Sequence, residues 1–348
     1  MDVMTYAEQL RFGEIHLVSD EKTGLKGIVA LHNLKLGPAI GGCRCIPYPS
    51  TDAAMYDVMR LARGMTYKAA ISKLPHGGGK SVIMRPPVLE HGSEARQRFF
   101  ERFADFIDSL GGHYLVAEDS GTTIADMDTI RSRTPHVLGS GASDASGDPS
   151  PFTALGVRRG IQAAVKFRYG RDDMDGLHVA IQGLGNVGHH LARELHDLGA
   201  RLTVTDVRPE AIARAKAEFG AVGVAPEAIY AVDADIFAPC ALGAVINDDT
   251  IDQLKVDIVA GASNNQLAED RHGLGLKERG ILYAPDYAIN AGGLINVACE
   301  FEGYDANKSL QLTAQIYDTM LAIFDRAQTD AAPTNVIADR IVEEIIYA

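Results

Sequence analysis

The 348-residue sequence has only four cysteines, too few for a disulfide framework in a chain of this length. Cys43 and Cys45 form a C-x-C pair, but no second Cys or His pair stands near them to complete a tetrahedral site. Both read as buried thiols, and no bound metal is expected. No apolar run is long enough to cross a bilayer. The opening residues Met1-Asp2-Val3-Met4-Thr5 lack a basic segment followed by an apolar core, so no secretory leader is expected. Basic residues are scarce as well. Lys and Arg number 33 against 46 Asp and Glu, a formal net charge of −13. So acidic a surface argues against nonspecific binding to nucleic acid or an anionic membrane. These absences together point to a soluble cytoplasmic protein.

The composition that remains is that of a globular chain. It is 46% hydrophobic and 23% charged, and 348 residues suffice for two domains with separate cores. In the first half, Gly24 to Leu34 reads as a strand. Ser50 and Thr51 can cap a helix carrying Ala54, Val58, Leu61 and Met65 at helical spacing. Ser81 to Met84 reads as a short strand after a glycine-rich loop, Glu94 to Leu110 as a helix with Phe99, Phe103 and Phe106 on one face, and Tyr114 to Ala117 as a strand. Gly139 to Pro151, rich in Gly, Ser, Asp and Pro, reads as a linker. Beyond it the pattern alternates strand and helix. Strands are expected at His178–Gln182, Arg201–Thr205, Asp235–Ala238, Asp257–Ala260 and Ile281–Ala284. Helices are expected at Val187–Leu198 and Arg208–Phe219, with long ones over 291–302, 307–327 and 337–347.

Gly183-Leu184-Gly185-Asn186-Val187-Gly188 is a G-x-G-x-x-G between an expected strand and an expected helix. In that context the first glycine permits the tight turn and the second admits a pyrophosphate. The third lets helix and strand pack closely, and the helix N-terminus offers N–H groups and partial positive charge to the phosphates. Asp206 ends the next strand, where an acid hydrogen-bonds the adenosine ribose and repels a 2′-phosphate. NAD is therefore expected over NADP, with Arg208 close enough to bear on the choice.

Lys68, in Gly64-Met65-Thr66-Tyr67-Lys68, and Lys80, in His76-Gly77-Gly78-Gly79-Lys80, sit among small or apolar residues rather than in charged runs. A lysine near a second cation and partly desolvated loses proton affinity and approaches the range of a general base. Gly79-Lys80-Ser81 resembles the tail of a P-loop, but the required earlier glycine is Leu74 and a strand follows, so a nucleoside triphosphatase is not expected. Asp119 follows a strand and precedes the turn Ser120-Gly121-Thr122. Asp126 and Asp128 are expected merely to decorate the next helix.

These motifs, with Gly37-Pro38-Ala39-Ile40-Gly41-Gly42, Glu118-Asp119, Asn264-Asn265-Gln266-Leu267 and the stretch Pro285 to Val297, stand in an order that covers nearly the whole chain. In them the chain resembles the leucine/phenylalanine/valine dehydrogenase branch of the Glu/Leu/Phe/Val amino-acid dehydrogenase family, most closely its leucine dehydrogenases. Gly79 stands where the family often has alanine, and Ser120 where it often has a hydrophobic residue.

The resemblance implies an α/β fold of two domains with a cleft between them. One is an N-terminal substrate and oligomerisation domain, residues 1–138 with the C-terminal helix at about 328–348. The other is a Rossmann-type NAD-binding domain, residues 150–327. It implies NAD-dependent oxidative deamination of an L-amino acid to the 2-oxo acid and ammonium by a homo-oligomer, a dimer or an octamer. Lys80 would handle the attacking water and Asp119 would carry a proton to and from the amino group. Lys68, with Gly41 and Gly42, would hold the substrate, and Asn264 would lie beside it. Asn265 and Asn290 would join Gly183 to Gly188, Asp206 and Arg208 at the cofactor. Ile40, Ala117, Leu294 and Val297 would line the side-chain pocket. All are apolar and none is a lysine for a γ-carboxylate, so a branched-chain substrate is expected. An aromatic amino acid, phenylalanine or tryptophan, is the alternative, and a non-catalytic dinucleotide-binding regulator a more distant one.

Overall fold

The computed structural model describes residues 2–142 and 145–348. Position 1 of the leader reading and positions 143 and 144 of the linker reading fall outside them. The chain forms two compact units. Unit 1 comprises Met1–Gly147, Val297–Asp305 and Ile345–Ala348; unit 2 comprises Asp148–Asn296 and Ala306–Glu344.

Unit 1 is built on a five-stranded sheet of β1 (Glu14–Asp20), β2 (Leu25–Asn33), β3 (Ala39–Ile46), β4 (Gly77–Met84) and β5 (Tyr114–Glu118), in the order β1-β2-β4-β3-β5. β1, β2 and β4 run antiparallel to their neighbours in that order, whereas β4, β3 and β5 are parallel. Its helices are α1 (Val3–Gln9), α2 (Thr51–Ile71), α3 (Glu94–Asp108) and α4 (Ile124–Arg131).

Side chains alternate across the sheet as the strand period requires. Ile28, Ala30 and Val82 pack against Ala54, Val58, Met59 and Ala62 of α2. Val29, Leu31, Ala39, Cys43, Ile83, Tyr114 and Val116 pack with Phe99, Phe100, Phe103 and Ile107 of α3. Ser50 starts α2 as expected, its hydroxyl accepting from Ala53 N at 3.1 Å.

Unit 2 holds a six-stranded parallel sheet of β6 (His178–Gln182), β7 (Arg201–Thr205), β8 (Val222–Gly223), β9 (Ile236–Pro239), β10 (Ile258–Val259) and β11 (Leu282–Tyr283). Its spatial order is β11-β10-β9-β6-β7-β8. Read from β8, that is the 3-2-1-4-5-6 order of a dinucleotide fold, which reverses direction between β6 and β9. α5 (Ser150–Tyr169) enters the unit, α6 (Asn186–Asp197) and α7 (Pro209–Phe219) alternate with the strands, and α8 (Arg271–Glu278) and α9 (Asp286–Ile289) follow. α10 (Gly292–Ala298) crosses from unit 2 to unit 1, and α11 (Ala306–Ala314), α12 (Ile316–Thr329) and α13 (Thr334–Tyr347) complete the chain.

Several local expectations need correction. Gly77 to Lys80 is strand, not loop, because it pairs with β2 on one side and β3 on the other, and its glycines lie where a larger residue would collide. A Cβ on Gly78 would stand 1.9 Å from Thr66 N of α2, and one on Gly79 would stand 2.9 Å from the Tyr114 ring on the other face. β1, β3, α1 and α5 were not foreseen. β3 begins in Ala-Ile-Gly-Gly, weak in strand propensity, and is held by pairing on both sides. The helical pattern over 307–327 divides between α11 and α12, and that over 291–302 ends in a 3-10 turn, Cys299–Glu302. Asp126 does more than decorate: it completes a capping box with Thr123 and is buried against Arg96, with Oδ2 2.7 Å from Nη2 and Oδ1 2.8 Å from Nε. The 139–147 stretch is pinned at two points, since the Gly139 and Ser146 N–H groups donate to the Glu300 carboxylate at 2.9 and 2.6 Å.

Candidate active site and dinucleotide site

The alternation that buries Cys43, Ile83 and Val116 on the α3 face turns Ile40, Gly42 and Arg44 of β3, Lys80 of β4 and Ala117 of β5 to the α2 face. Lys80 is 6% exposed, and its ammonium donates to Asp119 Oδ2 just beyond the end of β5. Gly42 lies against both. A Cβ there would stand 2.8 Å from Asp119 Cβ and 3.0 Å from Lys80 Nζ.

Asp119 is itself fixed. Its Oδ1 accepts from Ser120 N at 2.6 Å, and its backbone is tied to the Thr122 hydroxyl, which also donates to Cys43 O at 3.0 Å. Burial alone would raise its proton affinity. The Lys80 ammonium, the Ser120 N–H and the Arg44 guanidinium outweigh that and hold the carboxyl below its usual range. The buried Tyr114 hydroxyl donates to Gly41 O at 2.7 Å, so the glycine pair is held from the opposite face. Lys68 is half-buried near the end of α2, two residues beyond the Thr66 that rests on Gly78.

In unit 2 the glycine loop leaves β6 at the point of reversal. Gly183 has φ +98°, and a Cβ on it would lie 2.7 Å from Ala241 Cβ, in the segment after β9. A Cβ on Gly188 would meet Gly183 O at 2.0 Å, so this glycine sets how close α6 comes to β6. A Cβ on Gly185 would meet nothing within 4 Å, leaving open space before the N-terminus of α6, which no side chain caps. These three environments fit a bound pyrophosphate.

The Asp206 carboxylate is largely buried, accepting from Leu184 N at 2.7 Å and from Arg208 N and Nε at 2.9 and 3.2 Å. Burial pushes its proton affinity up, but those donors carry it below the ordinary value. Arg208 also donates to Leu184 O at 3.2 Å. Asn290 is buried and donates to Ala262 O at 3.0 Å and to Asn264 Oδ1 at 2.8 Å, while its own Oδ1 is buried without a partner. Asn264 and Asn265 are exposed, and Asn265 is held at φ +51°.

The structure thus brings Lys80, Asp119 and Gly42 into contact, Asp206, Leu184 and Arg208 into another group, and Asn264 and Asn290 into a third. Leu294 belongs to unit 2, whereas Ile40, Ala117 and Val297 belong to unit 1. Sequence reasoning missed Arg44, whose Nε lies 3.8 Å from Asp119 Oδ2. Val207 and Leu242, just past β7 and β9, are 86% and 79% exposed. A cavity of about 580 Å³ lined by His178, Arg201, Lys255 and Asp257 lies at the opposite, N-terminal edge of this sheet. Dinucleotides bind beyond the carboxyl ends of such strands, so that cavity is not the cofactor site. Among the described residues no cluster of His, Cys, Asp or Glu could hold a metal, and no helix is long and apolar enough to cross a membrane.

A parallel sheet in this order, with a glycine loop before an uncapped helix N-terminus, defines a protein of the dinucleotide-binding class. Residues 10–136 match the Glu/Leu/Phe/Val dehydrogenase dimerisation domain, and residues 146–211 and 204–338 match Glutamate/Leucine/Phenylalanine/Valine dehydrogenase. Leucine dehydrogenase of Geobacillus stearothermophilus is 49% identical over 347 residues, 99% of this chain and 94% of that protein. Phenylalanine dehydrogenase of Bacillus thermotolerans is 42% identical over 353 residues, 100% of this chain and 91% of that one. The crystal structure of L-tryptophan dehydrogenase from Nostoc punctiforme superimposes with a TM-score of 0.89 at 42% identity, covering 99% of this chain and 98% of the other. The chain belongs to the Glu/Leu/Phe/Val dehydrogenase family and is an amino-acid dehydrogenase, catalysing oxidative deamination with a nicotinamide dinucleotide.

Proposed function

We propose that this enzyme deaminates branched-chain L-amino acids (leucine, valine and isoleucine) with NAD, unit 1 supplying the acid–base chemistry and unit 2 the cofactor site. The observation that carries the chemical part is the Lys80 ammonium against the Asp119 carboxylate, on the sheet face that Ile40 and Ala117 share. An α-amino group reaches the enzyme as an ammonium ion and must lose a proton before its lone pair can drive hydride from Cα. Asp119, kept ionised by its neighbours, takes that proton. When bound, the nicotinamide accepts the hydride. Lys80, its ammonium having first released a proton to solvent, takes a proton from the water molecule whose oxygen adds to the substrate iminium carbon. The carbinolamine nitrogen regains a proton from Asp119, and ammonia leaves as the C=O bond forms and the hydroxyl proton passes to the Asp119 carboxylate.

Lys68 holds the substrate carboxylate as a fixed cation, with the Gly41 and Gly42 backbone beside it, and Asn264 orients the substrate. Ile40, Ala117, Leu294 and Val297 present apolar surface to its side chain. Gly183 to Gly188, Asp206 and Arg208 hold the dinucleotide, with Asn265 and Asn290 towards its nicotinamide. Asp206 favours NAD because a 2′-phosphate would meet its charge. The family's N-terminal domain is described as a dimerisation domain, which supports a homo-oligomer. NADH formation with a panel of L-amino acids tests the reading. Leucine, valine and isoleucine should give kcat/KM at least tenfold above phenylalanine and tryptophan. The reverse order would assign an aromatic substrate.

A further inference from the structure

We propose that Arg44 is a positioning residue for the reaction, a second cation that holds the Asp119 carboxylate ionised and aimed while Lys80 attends to water. This rests on the reading of Asp119 as the proton carrier. Arg44 projects from β3 on the face that carries Lys80, and it is three-quarters withdrawn from solvent, its side chain 22% exposed. Its Nη1 donates to Asp57 Oδ2 of α2 at 2.9 Å, and the Tyr48 hydroxyl donates to the same oxygen at 2.6 Å. Arg60 holds the other Asp57 oxygen at 3.0 Å. One edge of the guanidinium is therefore anchored. Its Nε is left over, a buried donor with no hydrogen bond, 3.8 Å from Asp119 Oδ2.

A buried N–H of a charged group is seldom left unpaired without a use. Asp119 Oδ2 is engaged by Lys80 in this arrangement. When Lys80 turns to a water molecule, the Arg44 Nε–H is the donor placed to take over that oxygen. The other titratable groups coupled to Asp119 through charge are Lys80 from β4, the Cys43 thiol and Tyr114 on the opposite face of the sheet, and Glu118 from β5. Burial keeps the thiol and the phenol protonated, and Glu118 opposes ionisation of Asp119. With Lys80 diverted, Arg44 is the remaining cation among them.

The test is the pH profile of kcat/KM for the best amino-acid substrate in the R44Q, R44K and D119N variants, with thermal midpoints and NAD affinity measured on the same preparations. R44Q should shift the acid limb upward by about one pH unit, the lower end of what a neighbouring opposite charge produces. NAD affinity should stay at the wild-type value. R44K, which keeps the charge but cannot span Asp57 and Asp119, should hold the limb in place and lose kcat severalfold at a wild-type midpoint. An unmoved limb in R44Q, with kcat lowered equally at every pH, would mean that Arg44 only ties β3 to α2 and would overturn the proposal. If R44Q does not fold, R44K decides, and a wild-type kcat there overturns it. D119N separates the two readings: turnover within tenfold of wild type would overturn the role of Asp119 itself, whatever the Arg44 variants do.

Discussion

Gly42 offers the sharpest perturbation of the chemical site, because Gly42→Ala removes no functional group and adds one methyl. That methyl would sit 2.8 Å from Asp119 Cβ, 2.9 Å from Glu118 O and 3.0 Å from Lys80 Nζ. Carbon atoms in contact prefer about 3.5–4.0 Å, so Asp119 and the Lys80 amine must each move by roughly 0.5–1 Å. Overpacking of this kind costs about 1–3 kcal/mol, a fall of several degrees in the thermal midpoint. Misplacing reacting groups by about 1 Å costs on the order of a hundredfold in rate, or about 2.7 kcal/mol of barrier. The expectation is a folded protein with unchanged NAD affinity by calorimetry and kcat down about a hundredfold. Steady-state kinetics and a thermal melt on one preparation decide it. A variant that keeps wild-type kcat would show that the spacing of Lys80 and Asp119 does not limit the reaction.

Lys80→Ala should abolish turnover while NAD still binds, measured by calorimetry alongside activity; a tenth of the wild-type kcat remaining would remove Lys80 from the chemistry. Asp206→Ser should lower the NAD-to-NADP ratio of kcat/KM about ten- to a hundredfold, the loss of a charge-assisted hydrogen bond of about 1.5–3 kcal/mol. Arg208, freed from Asp206, would then face a 2′-phosphate; an unchanged ratio refutes the assignment. His32 is buried between Thr66 Oγ1 and Leu10 O at 2.9 Å each. Burial, reinforced by the Arg63 charge and opposed by the Leu10 carbonyl, lowers its pKa to about 4. The unfolded chain protonates near 6.5 and the folded one does not, so this contribution is complete above pH 6.5 and is lost as pH falls towards 4, roughly 3 kcal/mol in all. Urea unfolding at pH 7 and pH 4.5 should show the wild type losing about 2–3 kcal/mol more than His32→Gln, and equal losses would refute it.

The dinucleotide half was legible because its determinants are local. The glycine hexamer, the strand before it, the helix after it and the acid at the end of the next strand occupy one continuous run, where each residue type has one physical reason to be there. Lys68 and Lys80 stood out by their small or apolar neighbours, whereas Asp119 gained its role only through the family resemblance. The sequence alone also settled the two-part organisation and the family.

What it could not settle depended on partners far along the chain. Gly77 to Lys80 looks like a loop because glycine has little strand propensity. It becomes strand only by pairing with β2 and β3, and Thr66 and Tyr114 on its two faces leave room for nothing larger. Asp126 looked like surface decoration until Arg96, thirty residues earlier, was seen buried against it. Arg44 carried no signal at all, because its meaning lies in β3 pairing between β4 and β5. That pairing sets Arg44 on one face with Lys80, anchored to Asp57 and 3.8 Å from Asp119. Local chemistry is written in neighbouring residues, whereas burial and charge pairing are decided only when distant strands meet.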